Sequence, residues 1–220
     1  MTARASRADT DKEVPDLPYV LRPRGLRATL TALLSAAAVL AVPAAAQAAC
    51  PAAPTTKAFQ AFGDTSDYSL LTNGAFENGS GGWSLTGAWV TSGNESYKVH
   101  AATDSRSLAI SPTGNVVSPE FCVSTANPSF RLFAKRTSGT WGVLNVKLRW
   151  TDNGQTNETV VGSVSAADTS WHPTQVFSLS SVLGLWSDDQ AVNAQIVLDP
   201  EDYGGAWAVD DVYVDPYVRG

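Results

Sequence analysis

The clearest pattern in the chain is the alternation of apolar and polar residues over 143–150. Leu144, Val146, Leu148 and Trp150 fall on one face of an extended segment, and the residues between them are polar. This period of two predicts a strand of an antiparallel sheet with one buried face. Turn residues follow at 152–154, so residues 158–162 are predicted to return as the second strand of a hairpin.

Similar short runs continue along the chain, and Gly-rich turns separate them at 78–82 and 137–139. One segment carries Leu179, Val182, Leu183 and Trp186 on a single helical face, so one short helix is expected. Many short strands with so little helix predict an antiparallel β-sandwich or barrel. The other predicted strands span residues 121–123, 130–136, 174–179, 194–199 and 206–214.

The N-terminal quarter has a different pattern. Residues 1–21 mix charged residues and proline without apolar periodicity and are expected to form a disordered extension, unless translation starts downstream of Met1. Residues 22–48 have basic residues, an apolar run and small residues before Ala48, as a signal peptide helix does. We expect cleavage after Ala48 and secretion, with no membrane attachment afterwards. The alternative is an uncleaved membrane anchor.

The rest of the chain is divided into two parts. Residues 49–67 are interpreted as a leader and 68–217 as the β-sandwich domain.

Charge and cysteine content narrow the possible functions. From Ala49 onward the chain has 9 Lys and Arg against 17 Asp and Glu, a net charge of −8 (9 − 17). Such an acidic chain is not expected to bind nucleic acid. Cys50 and Cys122 both lie in the exported part, where thiols oxidise, so a disulfide between them is predicted. Two free thiols are the alternative.

Motifs at both ends of the predicted domain carry a resemblance. The first is Asn73-Gly74-Ala75-Phe76-Glu77, followed by Gly82-Trp83, and the second is Trp207-Ala208-Val209-Asp210-Asp211-Val212. Together they resemble the opening and closing strands of jelly-roll carbohydrate-binding modules and galactose-binding-like domains. The mature chain as a whole is also similar to a family of secreted actinobacterial proteins. The resemblance implies a jelly-roll-like sandwich that binds carbohydrate or another cell-surface polymer.

The closing motif has its own physical consequence. In an uninterrupted strand, Trp207 and Val209 would face one side of the sheet and Val212 and Val214 the other. A β-bulge at Asp210 and Asp211 is therefore expected, because it would bring all four apolar side chains to the same side. Two adjacent buried carboxylates repel each other unless a cation or hydrogen-bond donors compensate. The jelly-roll resemblance implies a structural calcium held by Glu77 with Asp210 or Asp211. The alternative is that these acids cap turns or pair with Arg131 or Lys135.

Catalytic patterns are weak in this sequence. His100 and His172 stand in no metal-ligand spacing with another His or Cys, so zinc chemistry is not predicted. A Gly-x-Ser-x-Gly nucleophile elbow is absent from the sequence. The acid pairs at 188–189 and 201–202 fall in polar stretches and are interpreted as solvated loops. We therefore expect a non-catalytic protein.

The aromatic residues are the remaining candidates for a ligand site. Three of them lie on apolar faces and are expected in the core: Trp83, Trp150 and Trp207. Trp141 and Tyr203 lie beside glycines in loops, and exposed rings there suit stacking against sugars. The predicted glycan site consists of Trp141, Tyr203, Trp89, Tyr97 and Trp171. Two alternatives stay open: an adhesive envelope protein with a protein partner, and a hydrolase whose cleft converges on His100 or His172.

Overall fold

The structure is a computed structural model that describes residues 50–126, 128–165, 167, 169–185, 190–201 and 204–215. The predicted extension and signal peptide lie outside these residues. Two short helical segments are present, a 3-10 turn at Gln60–Phe62 and helix α1 at Ser180–Leu183. In the part of the chain described here, no helix is both long and apolar enough to cross a membrane. The strands are β1 Ser69–Leu70, β2 Ser84–Ser92, β3 Arg106–Val117, β4 Phe121–Ser124, β5 Ser129–Arg136, β6 Leu144–Asp152, β7 Gln155–Val164, β8 His172–Pro173, β9 Phe177–Ser178, β10 Ala191–Pro200 and β11 Trp207–Asp215.

The predicted hairpin is formed by β6 and β7. Its register runs from Leu144 opposite Val164 to Asp152 opposite Gln155. Asn153 and Gly154 form the turn, and both have positive φ, at 48° and 76°. Two positive-φ residues in a two-residue loop match the twist of the strands on either side. The alternation in β6 is confirmed, since Leu144, Val146 and Leu148 are fully buried.

All strand pairs are antiparallel, in the order β7-β6-β10-β3-β11-β5-β8. Strand β3 joins two layers, because its N-terminal half pairs with β11 and its C-terminal end pairs with β10. The sheet therefore curls on itself and encloses a core. Gly162 of β7 shows how closely the layers meet, since a Cβ there would lie 2.7 Å from the ring of Phe177 in β9. The predicted jelly-roll-like antiparallel β-sandwich is confirmed.

Strands β2 and β3 form the corner of the sandwich, and the sequence pattern did not predict them. Their register shifts between Thr86 and Ala88. Gly87 has a φ of 59°, and a Cβ at Gly114 would lie 2.8 Å from the Gly87 carbonyl oxygen. Such close backbone approach requires glycine at the bend. The same glycines interrupt the alternation of apolar and polar residues, so that pattern does not predict these two strands.

The main core lies between the two layers. It contains Leu108, Ile110, Phe130, Leu132, Ile196 and Leu198 at 0% exposure. Trp83 and Trp207 are buried in it as predicted, and Trp150 packs partly buried against it. Helix α1 adds Val182 and Leu183 at its border, so the predicted short helix is confirmed. Burial of this many large aliphatic side chains is the main source of stability for the fold.

A second core lies on the outer face of β5 and β11 and includes the predicted leader. Ala58 and Phe59 are buried there together with Phe133 and Tyr213. Thr56 pairs with Tyr68 as an isolated bridge, with N–H to oxygen distances of 2.8 Å in both directions. The segment interpreted as a leader is thus packed onto the sheet. Its composition gave no sign of this, because only Phe59 and Phe62 stand out in a polar stretch.

The predicted disulfide is confirmed. Cys50 is bonded to Cys122 of β4, with a Cα–Cα distance of 5.4 Å. The bond joins residues separated by 72 positions. It fixes the beginning of the leader to the layer formed by β4, β10 and β6.

Candidate functional site

The bulge expected in β11 is present and buries both aspartates. The register of β11 against β5 shifts between Asp210 and Tyr213. Asp211 takes up the extra residue with a positive φ of 47°. Asp210 and Asp211 have no exposed surface. The alternative pairing with Arg131 or Lys135 is not what the structure shows, because Arg131 pairs with Asp64 and Lys135 lies over Trp171.

Two further carboxylates join these aspartates and form what we call the acidic cluster: Glu95, Asp104, Asp210 and Asp211. Glu95 and Asp104 come from residues 93–105, which connect β2 to β3. Each of the four residues is more than nine-tenths buried. Among the described residues, His100 is the only basic side chain within ion-pair distance of the cluster. The cluster therefore holds a strong excess of potential negative charge away from solvent.

Backbone amides stabilise one half of the acidic cluster. Asp210 accepts hydrogen bonds from the N–H of Glu95 and from that of Asp211, both at 2.9 Å. Glu95 accepts from the N–H of Val99 at 2.6 Å and from that of Tyr97. These bonds tie the connecting segment to β11. Hydrogen bonds to backbone amides are the usual way to satisfy a buried carboxylate.

The other half of the cluster is a group of three side chains, His100, Asp104 and Asp211. His100 Nδ1 lies 2.7 Å from Asp104 Oδ2, and the backbone N–H of His100 donates to Asp211 Oδ2 at 3.2 Å. Asp211 Oδ1 is buried and has no hydrogen-bond partner. One ligand-type atom from each of the three side chains lies within 4.8 Å of the others. The arrangement brings an imidazole and two carboxylates to one point.

The electrostatics of the cluster follow from its burial. Burial and the neighbouring Asp211 charge raise the pKa of Asp210 to about 9. Burial and the Glu95 charge raise the pKa of Asp211 to about 7. Burial also raises the pKa of the nearby Tyr213 hydroxyl above its ordinary value. The site therefore favours protons or a cation over two bare carboxylates.

Glu77 is used differently from Asp210 and Asp211. Its Oε1 accepts hydrogen bonds from the N–H groups of Ser105 and Arg106, at 2.8 and 2.7 Å. Burial opposes ionisation of Glu77, but these donors hold its pKa below the usual range. Glu77 thereby fixes the start of β3, immediately after Asp104. Calcium binding through Glu77 and the β11 aspartates stays a prediction.

The predicted aromatic residues divide into exposed and buried groups. Trp89 in β2, Tyr97 in the connecting segment and Trp141 are about half exposed, at 55, 51 and 54%. Trp171 is buried in the second core. Tyr203 lies outside the described residues. The structure therefore gives three of the five predicted residues accessible rings.

One register row brings two of the predicted aromatic residues onto the same face of the sheet. Trp89 is opposite Ala109, Ala109 is opposite Ala208, and Ala208 is opposite Lys135. Directly opposite residues of antiparallel strands share a face. The Lys135 ammonium lies 4.8 Å from the centre of the Trp171 ring. We call this row the aromatic strip: Trp89, Ala109, Ala208, Lys135 and Trp171.

The aromatic strip is bordered by the segments that cover the rest of this face. Tyr97 packs its ring edge-on against Phe62 with centroids 4.8 Å apart, and its ring centre lies 5.8 Å from that of Phe133. Phe133 is opposite Asp210 in the next row of this face. The acidic cluster and the aromatic strip are therefore neighbours. At a strand spacing of about 4.8 Å, the strip crosses roughly 19 Å from β2 to β8. Ala208 and Trp171 belong to the second core, so the strip is most exposed at Trp89.

Trp141 is held by a glycine-dependent contact between two loops. A Cβ at Gly142 would lie 2.4 Å from Gly204 Cα, and one at Gly205 would lie 2.3 Å from the Ser138 carbonyl oxygen. Only glycine allows such an approach. The loop after β5 therefore packs against the residues before β11, and it carries Trp141 beyond the end of the sheet.

An apolar cavity of about 440 Å³ lies elsewhere, beside the disulfide. It contains none of the predicted aromatic residues. Its walls come from the leader, from β1 and the residues after it, and from β4 and the end of β11; they include Pro51, Ala53, Leu71, Phe121 and Val214. The cavity and the aromatic strip are thus separate features.

Sequence reasoning missed Glu95, Asp104 and Lys135 as site residues, and it considered His100 only for a hydrolase cleft. Glu95, His100 and Asp104 lie more than 100 positions from Asp211, and only the pairing of β3 with β11 brings them together. The weak local signal was a histidine four residues before an aspartate, at His100 and Asp104. This pair indicates a candidate metal site only once the fold places Asp211 beside it.

No protein-family model matches the chain, and neither does any curated protein. Several solved structures are similar to this one. One is the family 22 carbohydrate-binding module with the family 10 catalytic module of a Clostridium thermocellum endo-1,4-β-D-xylanase, complexed with xylohexaose. It is 13% identical with a TM-score of 0.48, and the match covers 68% of this chain and 29% of that one.

Two isolated modules are similar at the same level. A xylan-binding domain of family 22 is 13% identical with a TM-score of 0.44, over 69% of this chain and 97% of that one. The module TmCBM61, in complex with β-1,4-galactotriose, is 15% identical with a TM-score of 0.39, over 67% and 97%. Similarity this low does not extend to the ligand of this chain.

Proposed function

We propose that the chain is a secreted, non-catalytic binding module whose ligand is a carbohydrate or another cell-surface polymer. The observation that carries the proposal is Trp89, a half-exposed indole on a row of small residues. Ala109, directly opposite Trp89, is small and partly exposed, so a flat ligand can lie against the ring on that side. An exposed indole offers a flat apolar face, and sugar rings offer C–H faces that stack on it.

Polar groups next to the ring suit the same class of ligand. Lys135 is opposite Ala208, and its ammonium, which lies over the Trp171 ring, can donate to sugar hydroxyls. Tyr97 adds a second half-exposed ring at the border. A small number of polar groups among aromatic side chains fixes the orientation of a ligand whose contact is otherwise mostly apolar. We extend the site to Trp141 in the neighbouring loop and to Tyr203 on the basis of the sequence alone.

Localisation is part of the proposal. The signal peptide at 22–48 would direct export, with cleavage after Ala48. A net charge of −8 from Ala49 onward argues against nucleic acid as the partner. N-terminal sequencing of protein from the culture medium should begin at Ala49. A product that retains the apolar run before Pro43 would contradict cleavage.

Affinity gel electrophoresis against a panel of neutral and acidic polysaccharides tests the binding function. At least one of them should retard the protein, and Trp89→Ala should reduce that retardation. Val160→Ala is the matched control, because Val160 is also half exposed but lies on β7 of the other layer. Equal retardation of wild type and Trp89→Ala, or no retardation by any polysaccharide, would refute the proposal.

One observation favours the hydrolase alternative. The His100–Asp104 pair at 2.7 Å has the geometry of a base oriented by a carboxylate. Under the proposed function, the polysaccharide that binds gains no reducing ends during incubation with the protein. Release of reducing ends that His100→Ala abolishes would replace binding with catalysis.

A further inference from the structure

We propose that His100, Asp104 and Asp211 bind one divalent transition-metal ion of the zinc class. The site lies where residues 93–105 pack on the β11 bulge. None of its three ligands belongs to the aromatic strip, so metal binding and glycan binding are tested by separate measurements. The site also differs from the calcium site predicted through Glu77, because its ligands include an imidazole.

The distances suit a single ion. One donor atom from each of the three side chains lies within 4.8 Å of the others. Zinc bonds of about 2.0–2.2 Å place tetrahedral ligand atoms about 3.3 Å apart. The His100–Asp104 distance of 2.7 Å would widen slightly when the ion replaces the shared proton. The required movements are those of side-chain rotation on a fixed backbone.

Asp211 provides the second, independent sign of a ligand. Its Oδ1 is fully buried and has no hydrogen-bond partner, whereas its Oδ2 already accepts from the His100 backbone. An unpaired buried carboxylate oxygen costs the desolvation of a charged group. A cation beside His100 and Asp104 would remove that cost.

The charge balance leads to the same conclusion. The acidic cluster contains four buried carboxylates, and in the described part of the chain no Lys or Arg side chain forms an ion pair with them. Glu95 and Asp210 are satisfied by backbone amides. The three proposed ligands, His100, Asp104 and Asp211, combine two carboxylates with one imidazole. Asp104 Oδ2 contacts His100 Nδ1 and accepts from the N–H of Ala101, whereas Asp211 Oδ1 has no partner. A divalent ion would balance the charge of both carboxylates and would coordinate the unpaired oxygen.

The donor types select the ion. Imidazole nitrogen with carboxylate oxygens suits zinc and related metals, whereas calcium takes oxygen ligands almost entirely. The His100 side chain is 38% exposed, so an ion can enter from solvent and keep a water as its fourth ligand. The bound ion would hold residues 93–105 on β11, and Tyr97 is part of that segment.

The test uses the full exported chain, stripped of metal with a chelator, and titrates it with zinc chloride by isothermal calorimetry. Wild type should bind one ion per chain. His100→Ala should weaken binding at least tenfold, and so should Asp104→Asn, which retains the shape of the side chain. His172→Ala is the matched control, because His172 is the other histidine of the chain and lies on β8. It should bind like wild type.

A thermal measurement separates loss of the ion from loss of folding. The melting temperature of wild type and His172→Ala should rise with zinc, because an ion bound only by the folded state stabilises it by mass action. His100→Ala should melt cooperatively without responding to zinc. Unchanged zinc affinity in His100→Ala would overturn the site. So would calcium binding in preference to zinc, or the absence of any zinc-dependent heat in wild type.

Discussion

Phe59→Ala tests whether the leader is an integral part of the folded domain. Phe59 has no exposed surface. Its ring centre lies 4.7 Å from that of Tyr68, 5.6 Å from that of Phe133 and 5.7 Å from that of Tyr213. The Arg131 guanidinium lies 4.5 Å above the same ring. Removing the ring would therefore open a cavity bounded by three aromatic side chains and a cation.

The expected loss of stability is large. Phe→Ala in a core costs about 3–5 kcal/mol through lost transfer free energy and the remaining cavity. This range already includes lost aromatic contacts of about 0.5–1.5 kcal/mol per pair, so we expect a value near 4 kcal/mol. A domain is stable by only about 5–15 kcal/mol. The substitution should therefore remove a large share of the free energy of unfolding.

Equilibrium urea unfolding, followed by circular dichroism with the disulfide intact, measures the effect. With a slope of about 2 kcal/mol per molar urea, a loss near 4 kcal/mol lowers the midpoint by about 2 M. Gln60→Ala is the control, since the adjacent Gln60 is exposed and should change stability by no more than about 0.5 kcal/mol. A loss below about 1 kcal/mol for Phe59→Ala would show that the leader does not contribute to the core.

Three further predictions concern single contacts. Reducing the Cys50–Cys122 bond, which spans 72 positions, should cost about 4 kcal/mol in the chain-entropy model, and an unfolding curve unchanged by reductant would contradict this. Although burial opposes ionisation, donors that include Arg131 hold the pKa of Asp64 below its ordinary value. Its stabilisation is therefore complete above the unfolded pKa and is lost as pH falls through the folded one. Asp64→Asn should cost about 2–3 kcal/mol near pH 7 and progressively less below pH about 4; a difference independent of pH would contradict the ion pair. If Glu77 holds calcium, calcium added to metal-free protein should raise the melting temperature of wild type but not of Glu77→Gln; equal curves with and without calcium in wild type would exclude the ion.

The fold was predictable where apolar alternation is local. In β6 the alternation from Leu144 to Trp150 follows one straight strand, and the turn at Asn153 and Gly154 has its own sequence signature. In β2 and β3 the same signal fails, because Gly87 and Gly114 allow the strands to bend from one layer to the other. A bend shifts which residues face the core. Period-two patterns assume that no such shift occurs.

The candidate site was predictable only in part, for a different reason. The bulge at Asp210 and Asp211 follows from the parity of the apolar residues within one strand. Their partners do not, because Glu95 is 115 positions away from the Asp210 carboxylate that accepts its N–H. The position of Trp89 beside a small residue likewise depends on the pairing of β2 with β3, which sets Ala109 opposite it. Such contacts are set by the pairing of distant strands, which local patterns do not contain.

Binding of a polymer ligand at the Trp89 end of the aromatic strip, where the strip is exposed, is tested most directly by the indole N–H resonances of the tryptophans. The titrant is an oligosaccharide prepared from whichever polysaccharide retards the protein in the gel assay, added to ¹⁵N-labelled protein. The Trp89 resonance should shift with saturation, while the resonances of Trp83 and Trp207, buried in the main core, should not. Saturable binding that leaves the Trp89 resonance unchanged would contradict the proposed site.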